Sequence, residues 1–171
     1  RLDAERDEGS LMRLGELLEL ESYPARIEAY DISNIGAEHI RAAMAVYADG
    51  RMKRSDYRSF AITSTDGIDD YGAMREALSR RLSHIGDGSP SLGEAPDLIL
   101  LDGGMTHVSV VRRALDEKGF RVPVFGMVKD DRHRTRGLIT PEGREIGVQG
   151  NQAVFALIGR IQEETHRFAI T

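Results

Sequence analysis

The sequence contains no cysteine and no tryptophan among its 171 residues. The lack of cysteine excludes disulfide bonds, thiolate metal ligands and nucleophilic thiols, and it fits a reducing compartment, which predicts a cytoplasmic protein. No apolar run reaches the 18 or so residues of a transmembrane helix, so no membrane partner is expected. A basic surplus is also missing, because the formal net charge is −5. This balance argues against a protein that binds nucleic acid by its overall charge alone.

The composition is otherwise typical of a globular protein, with 40% hydrophobic and 30% charged residues. The length suits one domain with a sizeable core. Leucines recur at helical spacing before Pro24, so residues 1–24 are predicted to be a linker with a short helix, and residues 25–171 the main domain. Because the chain begins at Arg1 without an initiator methionine, it is expected to be part of a longer protein.

The order of the predicted elements favours one fold. The segment "RIEAYDIS" predicts a first strand, and Asp49-Gly50 joins the next two strands in a hairpin. On the return strand, Arg54, Asp56 and Arg58 alternate, which predicts an exposed face or edge. Helices and strands then alternate to the end of the chain. This order predicts an α/β protein with a ribonuclease-H-like mixed sheet, in which three meandering strands precede parallel strands and helices cover both faces.

Two aspartates follow apolar segments that are predicted to be strands. The run "LILLDGG" reads as a strand buried on both faces that ends on Asp102, and Asp31 lies near the end of the first strand. In the predicted fold these strands are parallel neighbours, so both carboxylates lie at the sheet edge where ligands bind. Two carboxylates can share Mg²⁺ or Mn²⁺, which prefer oxygen ligands. The alternative is that each aspartate only caps a turn.

A third candidate lies on the last predicted helix. In "QAVFALIGRIQEETHRF" the apolar residues share one helical face. His166 lies at the edge of that face, where its side chain can reach a cleft without being buried. It could complete a metal shell or transfer a proton, because the pKa of an imidazole lies close to working pH. The alternative is a surface histidine with no ligand.

These segments together resemble a known family. The segments "RIEAYDIS", "SDYRSFAI", "GIDDYGAMREALSRR", "PDLILLDGG", "VPVFGMVKDDRHRTR" and "ALIGRIQEETHRFAI" resemble the C-terminal endonuclease domain of UvrC, a subunit of the bacterial excinuclease, from about Arg26 to Thr171. The resemblance implies a ribonuclease-H-like nuclease that cuts damaged DNA 5′ to a lesion. It also implies that Asp31, Asp102 and His166 are the catalytic triad and the ligands of Mg²⁺ or Mn²⁺.

The resemblance further implies partners outside this chain. In the full-length protein these are damaged DNA and UvrB, with a separate GIY-YIG nuclease for the 3′ cut and a helix-hairpin-helix DNA-binding tail; no small-molecule substrate is expected. DNA affinity can come from those parts, so this chain need not be basic. Two positions depart from the family pattern: Met105-Thr106 replaces a common Lys-Gly, and Ile35-Gly36 replaces a common Gln-Gly.

Other polar residues are weaker candidates for phosphate contact or support. Lys129 ends a predicted strand and could neutralise a phosphate, or be a solvated lysine. Glu163 lies one turn before the histidine and could orient its imidazole. Arg132, Arg134 and Arg136 form a basic patch that fits phosphate contacts, although such runs are often only solvated.

Two other functions remain open at the sequence level. A catalytically silent ribonuclease-H-like module could bind nucleic acid or a partner protein, and the presence of all three triad residues argues against it. A small metal-dependent phosphatase would need a nucleophilic Asp-x-Asp or a phosphate-binding glycine loop after the first strand, and the sequence has neither.

Overall fold

The computed structural model describes residues 2–34, 40–63 and 69–171. The elements in chain order are α1 (Leu2–Leu17), β1 (Ile27–Asn34), β2 (Ile40–Ala48), β3 (Arg51–Met52), a 3-10 turn (Arg54–Asp56), β4 (Arg58–Ala61), α2 (Asp70–Leu82), β5 (Leu98–Leu101), α3 (Met105–Glu117), β6 (Val124–Lys129), β7 (Thr135–Ile139), β8 (Glu145–Gly147) and α4 (Gln152–Ala169). None of these helices is both long and apolar enough to span a membrane.

The strands within these ranges form one mixed sheet in the order β3-β2-β1-β5-β6-β7-β8, with β4 also paired to β2. β1 is antiparallel to β2 and parallel to β5, which is in turn parallel to β6. Asp49 and Gly50 make the predicted turn, both with positive φ. The predicted fold class is therefore confirmed: meandering strands come first, parallel strands follow, and β7 and β8 extend the sheet as a hairpin.

Helices cover both faces, and β5 shows how the sequence meets both layers. Leu98 and Leu100 pack in the cluster formed with α1 and α4. Ile99 and Leu101 pack in the cluster formed with α2 and α3. Alternate residues of a strand point to opposite faces, and helices cover both faces of this sheet. All four side chains are therefore fully buried. The prediction of a strand buried on both faces is confirmed.

The helix predicted near the start of the chain is present as α1 and packs on α4. Leu11, Leu14 and Leu18 belong to the same apolar cluster as β1 and α4. Asp7 accepts hydrogen bonds from the Tyr47 hydroxyl and the Arg160 guanidinium, each at 2.9 Å. These contacts join α1 to the sheet and to α4, while the domain boundary after residue 24 stays a prediction.

The segment after the first hairpin differs from the sequence-based prediction. Arg54 to Asp56 form a 3-10 turn that separates β3 from β4. Asp56 is 2% exposed and accepts a hydrogen bond from the Arg26 guanidinium at 2.7 Å. The predicted outward alternation of Arg54, Asp56 and Arg58 is therefore wrong, because the turn breaks the two-residue period and a buried ion pair draws Asp56 inward.

Candidate metal centre

The pairing of β1 with β5 places two aspartates side by side. Tyr30 lies opposite Leu101 in the parallel register, so the next residues along the two strands are Asp31 and Asp102. The Asp102 amide donates a hydrogen bond to the Tyr30 carbonyl at 2.9 Å, which fixes this register beyond the end of β5. Strand alternation then turns both carboxylates toward the face of the sheet that α4 covers.

His166 reaches the same place from α4. Its Nδ1 lies 3.4 Å from Oδ2 of Asp31. One potential ligand atom from each of Asp31, Asp102 and His166 lies within 4.8 Å of the other two. Asp31 is 9% exposed, whereas the imidazole is 59% exposed. The structure therefore brings the three residues selected from the sequence into one group that is closed on the sheet side and open to solvent on the other.

The two carboxylates of this group carry more negative charge than one histidine can offset. Burial is the main cause that raises the pKa of Asp31 from 3.8 to about 6, and the negative charge of Asp102 adds to it, while the hydrogen bond with His166 opposes it. Lys129 places Nζ 2.7 Å from Oδ1 and 2.9 Å from Oδ2 of Asp102. The two carboxylates therefore attract positive charge, and their oxygen atoms are ligands of the kind that a divalent ion prefers.

Replacing Asp31 by asparagine should raise the free energy of unfolding at pH 8 in the absence of metal. The folded-state pKa of this carboxyl lies above its ordinary value, so stability is lost as the pH rises from about 4 to about 6, and the loss is complete at pH 8. The neutral amide avoids that cost, and the gain should be roughly 1–3 kcal/mol. Urea unfolding with a chelator present, at a series of pH values, measures it.

The gain should disappear near pH 3, below the ordinary pKa of 3.8, where the aspartate is largely protonated in both the folded and the unfolded state. Asp131→Asn is the matched control, because Asp131 is exposed in a turn at the same sheet edge. Its stability should stay at the wild-type value throughout. Equal stability of Asp31→Asn and wild type at pH 8 would show that burial and the charge of Asp102 do not oppose the ionisation of Asp31 in the folded protein.

The end of α4 that carries His166 is held by two residues on the strands. The Ser33 hydroxyl donates to the Ala169 carbonyl at 3.0 Å. The Arg41 guanidinium donates to the carbonyls of Phe168, at 3.2 Å, and of Ala169. Sequence reasoning missed both residues, since no pattern marks a strand residue that bonds to the end of a distant helix.

Gln162 anchors the same helix one turn earlier. Its amide oxygen accepts from the Thr135 hydroxyl, and its amide nitrogen donates to the His133 carbonyl at 2.6 Å. Gln162 is buried on the apolar face of α4. A buried polar group requires a partner, so a glutamine within an apolar helical face was a signal in the sequence that α4 bonds to a neighbouring segment.

The glycines around Asp102 are required by close packing. A Cβ on Gly103 would lie 2.7 Å from the ring of His107, and a Cβ on Gly126 would lie 2.3 Å from the Gly103 carbonyl oxygen. The loop after Asp102 therefore fits only because Gly103 and Gly126 carry no side chain. This explains why an aspartate that ends a buried strand is followed by glycine.

Gly126→Ala is expected to destabilise the protein by about 1–3 kcal/mol, because the new methyl group must displace the Gly103 backbone. Gly147→Ala is the matched control, since a Cβ there meets no atom within 4 Å. That substitution should be neutral or slightly stabilising, because alanine lowers the entropy of the unfolded chain. Urea midpoints compare the two, and equal midpoints would contradict the packing argument.

The predicted basic patch lies near the ends of β6 and β7, and its three arginines are exposed. Arg136 is paired with Glu145 at 3.1 Å across the β7–β8 hairpin. Arg134 lies over the Phe155 ring and 3.6 Å from Asp130. Arg132 lies in the connecting turn. Phosphate contact by these residues stays a prediction.

No hydrogen bond or ion pair of the described residues joins Glu163 to the imidazole. Glu163 is exposed and lines a surface depression with Arg54 and Arg160. Within the described parts of the chain, Asp31 is the carboxylate that faces His166. A role for Glu163 in orienting the imidazole stays a prediction.

The two departures from the family pattern lie in different situations. Ile35-Gly36 falls outside the described residues. Met105 begins α3 and is 46% exposed. The cation next to Asp102 is instead Lys129, from the neighbouring strand β6.

Comparison with known proteins places these features in context. A family model described as "UvrC RNAse H endonuclease domain" matches residues 15–170. UvrABC system protein C of Caldanaerobacter subterraneus subsp. tengcongensis is 46% identical over 174 residues, which cover 95% of this chain and 28% of that protein. The same protein of Thermoanaerobacter pseudethanolicus is 44% identical over 173 residues, covering 94% of this chain and 28% of that protein. The chain thus spans under a third of the length of these relatives.

Solved structures with a similar backbone include nucleases. Endonuclease V of Ciona intestinalis, in complex with DNA containing inosine, matches with a TM-score of 0.46 at 15% identity, covering 71% of this chain and 56% of that chain. The catalytic domain of human endonuclease V matches with a TM-score of 0.44 at 15% identity, covering 72% and 61%.

Proposed function

Because the chain belongs to the family of UvrC ribonuclease H endonuclease domains, we propose that it hydrolyses a DNA phosphodiester bond 5′ to a lesion with the help of a divalent metal ion. The observation that carries the proposal is the convergence of Asp31, Asp102 and His166, with ligand atoms within 4.8 Å of one another. The comparison proteins are much longer than this chain, so lesion recognition and partner binding in the whole protein are part of the proposal.

The donor set fits a hard divalent ion. Two carboxylates and one imidazole suit Mg²⁺ or Mn²⁺, and the exposed side of the group leaves room for water and a phosphate. Burial and the negative charge of Asp102 raise the pKa of Asp31, and a positive charge between the two carboxylates would offset both effects. A bound ion would lower the pKa of a water molecule and stabilise negative charge on the phosphate.

The protein's own residues would bind and orient the substrate around this site. Asp31 and Asp102 hold the ion, and the β1–β5 register keeps their spacing. Lys129 is 29% exposed beside Asp102, so its ammonium group can also meet a phosphate oxygen as a point charge. His166 presents one ring nitrogen to Asp31, and its imidazole would complete the metal shell or hold or release a proton.

Damaged DNA and UvrB are the proposed partners in the full-length protein, in the cytoplasm. The net charge of −5 means that this chain supplies catalytic geometry more than general DNA affinity. Arg132 and Arg134, exposed beside the carboxyl end of β6, are the local cations that would guide the strand, and such contacts weaken as salt rises.

Metal binding separates this proposal from a catalytically silent module. Wild-type protein should remove free Mn²⁺ from solution in an electron paramagnetic resonance titration, and Asp31→Asn should bind it much more weakly. Asp116→Asn is the control, since that exposed carboxylate lies at the far end of α3 and pairs with Arg112. In parallel, full-length protein loaded by UvrB should make the 5′ cut with Mg²⁺ or Mn²⁺. Equal Mn²⁺ binding by all three proteins would contradict the assigned ligands.

A further inference from the structure

Exposed apolar side chains occur at the edge of the sheet where the proposed metal centre lies. Five large hydrophobic residues are exposed in the described parts of the chain: Met12, Tyr23, Tyr71, Met105 and Ile170. Met105 begins the helix that follows Asp102, and Ile170 lies four residues after His166. Tyr71 lies in the first turn of α2. A single exposed apolar residue is ordinary, but three near one edge of the sheet favour a ligand with apolar surface.

The direction of α2 places Tyr71 at this edge of the sheet. Arg81, in the last turn of α2, donates to Glu28 near the start of β1 at 2.9 Å. The helix therefore runs back along β1, and its first turn lies toward the end of the strand that carries Asp31. Tyr71 and the metal centre are thus at the same edge of the sheet, with α2 packed on the face opposite α4.

A continuous chain of contacts joins Tyr71 to the proposed metal ligand. The Tyr71 and His107 rings lie with their centroids 4.6 Å apart and their planes inclined by 58°. The His107 ring in turn packs on Gly103, where an added Cβ would be 2.7 Å from it. Gly103 directly follows Asp102. His107 therefore packs between Tyr71 and Gly103, and it connects Tyr71 to the loop that follows Asp102.

We propose that Tyr71, supported by His107, is a stacking platform for one nucleobase of the DNA strand that is cut at the metal centre. This inference rests on the proposed function. The Tyr71 side chain is 43% exposed, and a phenol ring packed against a second ring presents a rigid apolar surface. Every base has a flat π face that can cover such a ring whatever its sequence. A platform of this kind suits a nuclease that cuts beside lesions in many sequences.

The platform would hold the strand in register with the metal centre. Stacking forms on binding and persists through the reaction, so its loss should raise KM or Kd more than it lowers kcat. Tyr71→Ala should weaken binding of DNA roughly five- to hundredfold, the range found when an aromatic residue that stacks on a base is removed. Tyr71→Phe keeps the ring and should bind nearly as the wild type does.

Tyr23→Ala is the matched control, because Tyr23 is 44% exposed and lies in the segment between α1 and β1. It loses the same side chain from the surface and should leave binding unchanged. Fluorescence anisotropy with labelled DNA, in the presence of a chelator so that no strand is cut, gives the affinities. Melting temperatures identify any variant that is unfolded.

Abasic nucleotides show whether the partner of Tyr71 is a base. DNA carrying one abasic site at each position around the scissile phosphate should reveal one position where the wild type loses affinity and Tyr71→Ala loses nothing further. Tyr23→Ala should lose affinity there as the wild type does. If Tyr71→Ala binds as tightly as the wild type, or loses further affinity at every abasic position, the platform is disproved and the nuclease proposal stands. If the wild type binds no DNA and cuts none, the proposed function fails, and the platform fails with it.

Discussion

Asp102→Asn is expected to abolish the cut 5′ to a lesion while the cut on the 3′ side continues. The amide keeps the shape of the side chain but removes the charge that a divalent ion requires from this position. The loss of rate should exceed about a hundredfold, because even residues that only support a metal ligand cost 10–100-fold when they are replaced. The family resemblance assigns the 3′ cut to a separate nuclease domain, so that product is an internal control for loading and folding.

The same substitution should leave stability nearly unchanged, since two effects oppose each other. It removes the repulsion that contributes to the raised pKa of Asp31, and it also removes the ion pair with Lys129. The lysine is 29% exposed, so water can solvate its charge, and the net change should stay within about 1 kcal/mol. Thermal unfolding in a chelator measures this.

The contrary outcome is equally clear. Loss of both cuts together with a sharply lower melting temperature would make Asp102 a residue that only caps the end of β5. A 5′ cut at the normal rate would remove it from the catalytic site altogether. Doubly labelled lesion duplex, incubated with UvrB and the full-length variant, resolves the two products in one gel.

The sequence was sufficient to predict the position of the two carboxylates, because strand registers leave few choices. An apolar run of strand length, buried on both faces, must lie inside the sheet. Once β1 and β5 are parallel neighbours, the residues that follow Tyr30 and Leu101 have to lie side by side. His166 was less determined, since a residue at the edge of a helical face can point to solvent or to a cleft.

Side-chain partners could not be predicted in the same way. The pairing of Lys129 with Asp102 and that of Asp56 with Arg26 depend on contacts between distant segments. The two-residue period of the return strand predicted the wrong exposure for Asp56. Such a period contains no information about a turn or about an ion pair with a distant segment. Local patterns set which face a residue occupies, whereas tertiary packing decides which charge it meets.

Tyr71 is a second example of a residue whose contacts could not be predicted from the sequence. In the sequence it stands beside two aspartates at the start of a predicted helix, where capping explains the acidic residues. Only the contact with His107, and the packing of His107 on Gly103, connect this ring to Asp102. The residue proposed to stack on a base is therefore harder to predict from one sequence than the proposed metal ligands at strand ends.

His166→Ala is expected to lose the 5′ cut as well, with little change in melting temperature. The imidazole is 59% exposed and contacts Asp31 at 3.4 Å, so its removal leaves no buried cavity. Because the hydrogen bond to His166 lowers the pKa of Asp31, the variant should show a further rise of that pKa, which NMR titration of the carboxyl group without metal can follow. Ser33→Ala should cause a smaller loss, since it only loosens the end of α4 that carries the histidine.

Two measurements on His166→Ala separate the roles open to the imidazole. If His166 is a metal ligand, Mn²⁺ affinity should fall together with the rate. If it transfers a proton, Mn²⁺ affinity should persist, and the pH dependence of the 5′ cut should lose the limb that reports an imidazole. Added imidazole should restore part of the activity in either case, because the open side of the site admits a small molecule. Normal 5′ cutting without His166 would leave two carboxylates and Lys129 as the whole of the catalytic group.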